Sequence, residues 1–155
     1  MEGKEAIRTS INRSSEYRDV IDILVSRGGD RVFKAMYELL CFAAYIGINN
    51  KNRLKIPTKF KDEPVAINLF EGNNLDRHFW AVNLFAEQDV ARFINYNDCI
   101  ETFEEYANGG MEILAKSLNE SPTDTLGVET LLAMLLKINA SYQKKSDKQV
   151  RTITF

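Results

Sequence analysis

The sequence predicts a mainly α fold: a single compact helical domain of five or six helices, with short stretches that permit minor β pieces. Three observations predict it. Apolar residues recur at three- and four-residue spacing along most of the chain, as on amphipathic helices. The 8 glycines and 3 prolines punctuate those stretches instead of forming low-complexity runs. At 155 residues and 45% hydrophobic, the chain can build a core without disulfides or metal staples. The expected organisation is a flexible N-terminal tail over residues 1–14, a helical domain over 15–140, and a polar, basic C-terminal tail over 141–155.

The elements follow in chain order. Residues 1–14 show no period and read as a tail. Ser14 or Ser15 can cap a first helix with Glu16 in its first turn. Val20, Ile23 and Leu24 continue it, and Gly28 with Gly29 stops it. Asp30 is placed to cap a second helix, Arg31 to Ile46, with Gly47 as its stop. That helix is apolar on nearly every side, which marks it as central to the domain. Asn49 to Pro64 has two prolines and no period and reads as a loop. Val65, Ile67 and Leu69 alternate like a strand, while Leu69 next to Phe70 equally allows a helical turn.

Asn73 and Asn74 are placed to cap a helix carrying Leu75, Phe79, Val82, Phe85 and Ala86, as far as about Glu87. Residues Ala91 to Tyr96 continue as a short element or a loop on the core. Asp98 can cap a helix with Cys99, Ile100, Phe103, Tyr106 and Ala107. Asn108-Gly109-Gly110 reads as its end, because Asn and Gly tolerate left-handed backbone. Met111, Leu114 and Leu118 form a further helical stripe. Ser121-Pro122-Thr123-Asp124 combines a cap residue, a proline and an acid, the pattern of a helix start. The last helix carries Val128, Leu131, Leu132, Leu135 and Ile138. Residues 141–149 are polar and expected to fray, and Val150 to Phe155 alternate with β-branched residues as a strand would.

The net charge of −2 conceals a polarity. Residues 48–64 carry +3, residues 65–140 carry −8, and residues 141–155 carry +3. An acidic body disfavours broad non-specific nucleic-acid binding. The local cations Lys51, Arg53, Lys55, Lys59 and Lys61 could still touch a phosphate backbone, or simply be solvated. No apolar run reaches the ~18 residues of a membrane span. The polar N-terminus is not a secretory signal. Cys41 and Cys99 lie in apolar helical patterns and read as buried thiols of a cytoplasmic protein.

Few chemistries find support. His78 is the only imidazole, and nothing supplies it with an oriented nucleophile or an oxyanion site. Two separated cysteines and one histidine have no zinc spacing. Glu101, Glu104, Glu105 and Glu112 could face each other across helices, but the Glu-x-x-His elements of carboxylate-bridged metal sites are absent, so they read as an exposed acidic face. Neither glycine pair belongs to a phosphate-binding loop. Residues Tyr17 to Ile46 could mimic a helix-turn-helix, but the second helix is too apolar to read base edges. Most aromatics fall at core spacing, with Trp80 and Tyr96 left as a candidate contact patch. The sequence therefore implies no enzyme, no cofactor and no metal.

One pattern is more specific. Residues 32–48 form an apolar helix ending in Ala-x-x-Gly, a basic Pro-containing loop follows, and residues 104–110 read Glu-Glu-Tyr-Ala-Asn-Gly-Gly. In this order the chain resembles small proteins associated with bacterial DNA phosphorothioation (Dnd) systems, over roughly residues 32–136. The resemblance implies a genome-defence setting, in which DNA is sulfur-modified and a restriction apparatus spares it. It carries over no active site. Glu104, Glu105, Tyr106, Asn108, Gly109 and Gly110 read as a structural turn that could also serve as an interaction corner.

The expected function is thus a non-enzymatic accessory or regulatory protein of a phosphorothioation-linked restriction and anti-phage defence system. It would act by contacts with other proteins of that system, without a membrane. The alternative is a DNA-contacting module using the basic loop, whose cations would touch phosphates and not read sequence. A homodimer through an exposed helix face is compatible with either.

Overall fold

The computed structural model describes residues 5–26, 29–87 and 95–152. Its six helices are α1 (Arg18–Leu24), α2 (Met36–Asn49), α3 (Ile67–Gly72), α4 (Arg77–Glu87), α5 (Tyr96–Asn119) and α6 (Val128–Thr152). The only sheet among the described residues pairs β1 (Ser10–Ile11) antiparallel with β2 (Val65–Ala66), with Ser10 opposite Ala66 and Ile11 opposite Val65. The fold is mainly α with a minor β piece, as expected. Residues 65–70 take both of the conformations the sequence allows, two residues of strand and then a helix.

Two long helices carry the fold: α2 and α5 pack along most of their lengths, and both core clusters lie against them. In one cluster Phe70, Phe79 and Phe103 bring α3, α4 and α5 together, with ring centroids 4.8–6.0 Å apart in tilted and edge-on arrangements. In the other, Val20 and Leu24 of α1 meet Leu39 of α2, Met111 and Leu114 of α5, and Leu131 of α6.

Neither expected glycine stop between these helices is a stop. Gly47 lies inside α2, and Asn108-Gly109-Gly110 lies mid-way along a continuous α5. A Cβ at Gly110 would overlap the Ala43 carbonyl, and one at Gly47 would overlap the Tyr106 carbonyl. Glycine costs a helix ~1 kcal/mol relative to alanine. Here that cost is outweighed by the close backbone approach it permits. The Met111–Leu118 stripe therefore belongs to the same helix as Cys99–Ala107.

Other boundaries also move. Residues 31–35 are bends around an isolated bridge from Phe33 to Val25 and not helix: Phe33 N donates to Leu24 O at 2.8 Å and Ser26 N donates to Phe33 O at 3.1 Å. Asp30 lies outside the helix, and Glu38 reaches back to accept from Lys34 N at 2.9 Å. Asn73 closes α3 instead of opening α4, its amide donating to Leu69 O at 2.8 Å. Asn95, not Asp98, caps α5, accepting from Asn97 N at 2.9 Å. The Ser121–Asp124 signal sits in turns ahead of α6. Asp124 accepts from both Thr130 N and Thr130 Oγ1 at 2.8 Å, which fixes the start of α6 at Val128.

The tails differ as well. Ile11 is fully buried, and Arg8 N donates to Asn97 Oδ1 at 2.9 Å, so the polar stretch before Ser14 is strapped across the body. At the other end α6 runs through residues 141–152 as helix, where fraying and a strand were expected. Gly28, residues 91–94 of the expected Ala91–Tyr96 element, residues 1–4 of the tail and residues 153–155 of the expected strand lie outside the described residues.

Candidate interaction surfaces

The Glu104–Gly110 segment is a packing hub, not a turn. Glu104 and Glu105 are 7% and 5% exposed, so the expected exposed acidic face does not include them. A buried carboxylate needs a countercharge and hydrogen bonds. Each of these has both, from a different segment. Glu104 pairs with Arg8 of the N-terminal strap and accepts from Asn12 N at 2.7 Å and Asn12 Nδ2 at 3.3 Å. Glu105 pairs with Arg53 of the basic loop, with the Lys55 ammonium 3.9 Å away. Asn52 Nδ2 donates to Gly109 O and Glu112 Oε2, both at 2.9 Å, and Asn108 Nδ2 donates to Leu54 O at 3.2 Å. A Cβ at Gly109 would overlap the Asn52 carbonyl, so the loop lies directly on the α5 backbone. Glu101 alone of the four acids is fully on the surface.

The five cations of the loop therefore separate. Arg53 is an anchor: besides Glu105, its guanidinium lies 5.7 Å from the centre of the Tyr106 ring. Lys51, Lys55, Lys59 and Lys61 are exposed. The Lys59 ammonium lies 4.6 Å over the Phe60 ring, and the Lys61 backbone bridges to Ser14. The loop is held at its root and presents four ammonium groups. Asp62 ties its far end to α1 through Arg18 at 3.1 Å and to Arg13 at 3.6 Å.

His78 Nδ1 is 2.8 Å from Tyr45 Oη, with the rings edge-on. Burial and then the neighbouring Arg77 charge lower its pKa, against the pull of Asp76. Both cysteines are buried. Burial pushes the Cys41 thiol up to about 12, with Glu38 adding to it, so almost none of the reactive thiolate form exists at neutral pH. Among the described residues, no three His, Cys, Asp or Glu side chains converge as metal ligands. No helix of the described residues is long and apolar enough to cross a membrane.

Trp80 and Tyr96 do come together, with ring centroids 6.0 Å apart. They line a cleft of about 720 Å³ with Arg8, Glu71 and Asp76. Burial, then Glu71 and Asp76, raise the Tyr96 pKa. On α4, Leu84, one turn on from Trp80, and the adjoining Phe85 are 60% and 64% exposed. The period of that helix predicted Phe85 as core. Sequence reading also missed Arg8, Asn12 and Asn52, because a buried carboxylate's partner lies up to 96 residues away along the chain.

These features define a small, mainly α domain whose helix α5 is clamped at two carboxylates by the segments that cross it. Residues 10–153 match the family model of DNA sulphur modification system-associated protein 4, and the chain belongs to that family. The match extends the resemblance to both flanks of the residues that first suggested it. No curated protein and no solved structure matches the chain.

Proposed function

We propose that the protein is a non-enzymatic accessory or regulatory component of a phosphorothioation-linked restriction and anti-phage system, working in the cytoplasm through contacts with the system's other proteins. The family's association with a DNA sulphur modification system supplies the setting. The observation that carries the mode of action is the outer part of α4, where Leu84, one turn from Trp80 of the Trp80–Tyr96 cleft, and its neighbour Phe85 stand in solvent. Single exposed apolar residues are ordinary. Two large ones adjoining an aromatic cleft form the kind of patch at which protein interfaces concentrate their binding energy.

The test is co-purification of the tagged full chain with the co-expressed proteins of its system. Wild type is expected to retain a partner, and the Leu84→Asp, Phe85→Asp double variant to lose at least about tenfold of that retention with unchanged circular dichroism, as hot-spot loss predicts. Retention undiminished in the variant, or no retention by wild type, would sink the reading.

The exposure of Lys51, Lys55, Lys59 and Lys61 favours a second reading, contact with the DNA backbone. Four phosphate contacts would weaken binding on the order of 100-fold for a fourfold rise in salt. Titration with plain and phosphorothioated duplexes at two salt concentrations reads this directly. Salt-steep binding supports the loop as the site, and a preference between duplexes ties it to the modification. No binding at low salt removes this reading.

A further inference from the structure

α6 has two apolar faces, and the body covers one of them. Leu131 is buried in the core and Met134 packs beside it. The other face stays in solvent: Val128, Leu132, Leu135, Leu136 and Tyr142 are 47–59% exposed. These are not scattered. Val128, Leu132, Leu135, Asn139 and Tyr142 follow one another at alternating spacings of four and three residues. That is the 3.5-residue repeat of a coiled-coil seam, with a single polar residue inside it. The helix has 25 residues, about 37 Å at the usual rise, and the seam from Val128 to Tyr142 spans about 21 Å of it.

We infer that this face binds the same face of a second copy of the chain, as an antiparallel, two-fold α6–α6 pair. Charge decides both occupant and direction. Glu129 marks the start of the helix, and Lys144, Lys145 and Lys148 against Asp147 mark its last third. A parallel pair would bring the lysines together. An antiparallel pair sets the two lysine clusters at opposite ends of the interface and opposes the two helix dipoles. It also carries each basic end, +3 over residues 141–155, toward the partner's body, −5 over residues 1–140. Knobs-into-holes register then sets Leu132 opposite the partner's Tyr142 and Leu135 opposite the partner's Asn139. Leu136 lies beside the partner's Leu136 at the two-fold axis. The interface is self-complementary, as a closed dimer requires. This inference stands apart from the proposed function, since it uses neither the α4 face nor the basic loop.

The test is the mass of the full chain in solution by light scattering. Wild type is expected at twice the 17.7 kDa chain mass, and the Leu132→Glu, Leu135→Glu double variant as a monomer with unchanged helical signal, because both side chains are on the surface. Direction is read by disulfide trapping. Leu136→Cys should link two copies under mild oxidation, since the partner position lies about 3 Å along the axis. Tyr142→Cys should not, since its counterpart is about 15 Å away along the axis, outside disulfide reach. The buried Cys41 and Cys99 give no background. A wild-type monomer at high micromolar concentration overturns the dimer, as does a double variant that remains dimeric. Ready linkage through Tyr142→Cys overturns the antiparallel arrangement.

Discussion

At Gly110 one missing methyl group sets how closely α5 lies on α2. The atoms that a Cβ would strike belong to the Ala43 backbone, inside a helix that cannot rotate out of the way. Gly72, at the end of α3, provides the contrast: a Cβ there meets nothing within 4 Å. The same substitution should therefore act in opposite directions. Gly110→Ala is expected to cost about 3 kcal/mol by overpacking. Gly72→Ala should be neutral or gain up to about 1 kcal/mol from helix propensity. Urea unfolding of both variants measures the difference. Equal effects would mean that propensity, not contact, governs Gly110. The distinction is invisible in the sequence, where Asn108-Gly109-Gly110 has the letters of a helix stop. What selects glycine there is a neighbour on another helix, and local pattern carries no trace of it.

At the scale of elements, the polar segments most easily read as loose are the ones most firmly tied. Residues 8–14 and 52–55 have no helical period, so they looked like a tail and a loop. Each is nonetheless fixed to α5 by an arginine on a buried glutamate. The apolar periods of α1, α2, α4 and α5 were legible, because packing against a core repeats at 3.6 residues. The ion pairs were not, since a charged letter looks the same whether solvated or clamped. The clamp gives the loop its own test. Arg53→Ala leaves Glu105 buried without its principal countercharge. The arginine side chain is 31% exposed, so the loss should be below that of a fully buried pair, about 2 kcal/mol. The loop should also become more susceptible to proteolysis at Lys55 and Lys59. Lys59→Ala, which removes an exposed ammonium, should change stability by less than about 0.5 kcal/mol. If both variants behave alike, Arg53 is a surface cation like the rest, and the clamp has no energetic weight.

At the scale of the whole molecule, the mainly α class and a central α2 followed from the density of apolar residues on that helix. The division of the core into two clusters did not, because cluster membership depends on how helices cross. Phe70, Phe79 and Phe103 lie in one cluster, and Leu24, Leu39 and Leu114 in the other. Both α2 and α5 contribute to each: Leu40 and Phe103 face the first, Leu39 and Leu114 the second. A helix shared by two clusters cannot lose one without loosening its hold on the other, so the domain should unfold as one unit. Leu39→Ala and Phe103→Ala, one in each cluster, are each expected to cost about 2–5 kcal/mol. Trp80, on α4 beside the first cluster, makes the comparison sharp. Its fluorescence should follow the same unfolding curve as the far-ultraviolet helix signal in wild type and in both variants. Leu39→Ala should shift the Trp80 transition fully, although Leu39 belongs to the other cluster. A Trp80 curve left in place while the helix signal moves would show two units joined by α2 and α5, and would assign the α4 face and the α6 face to parts of the molecule that fold separately.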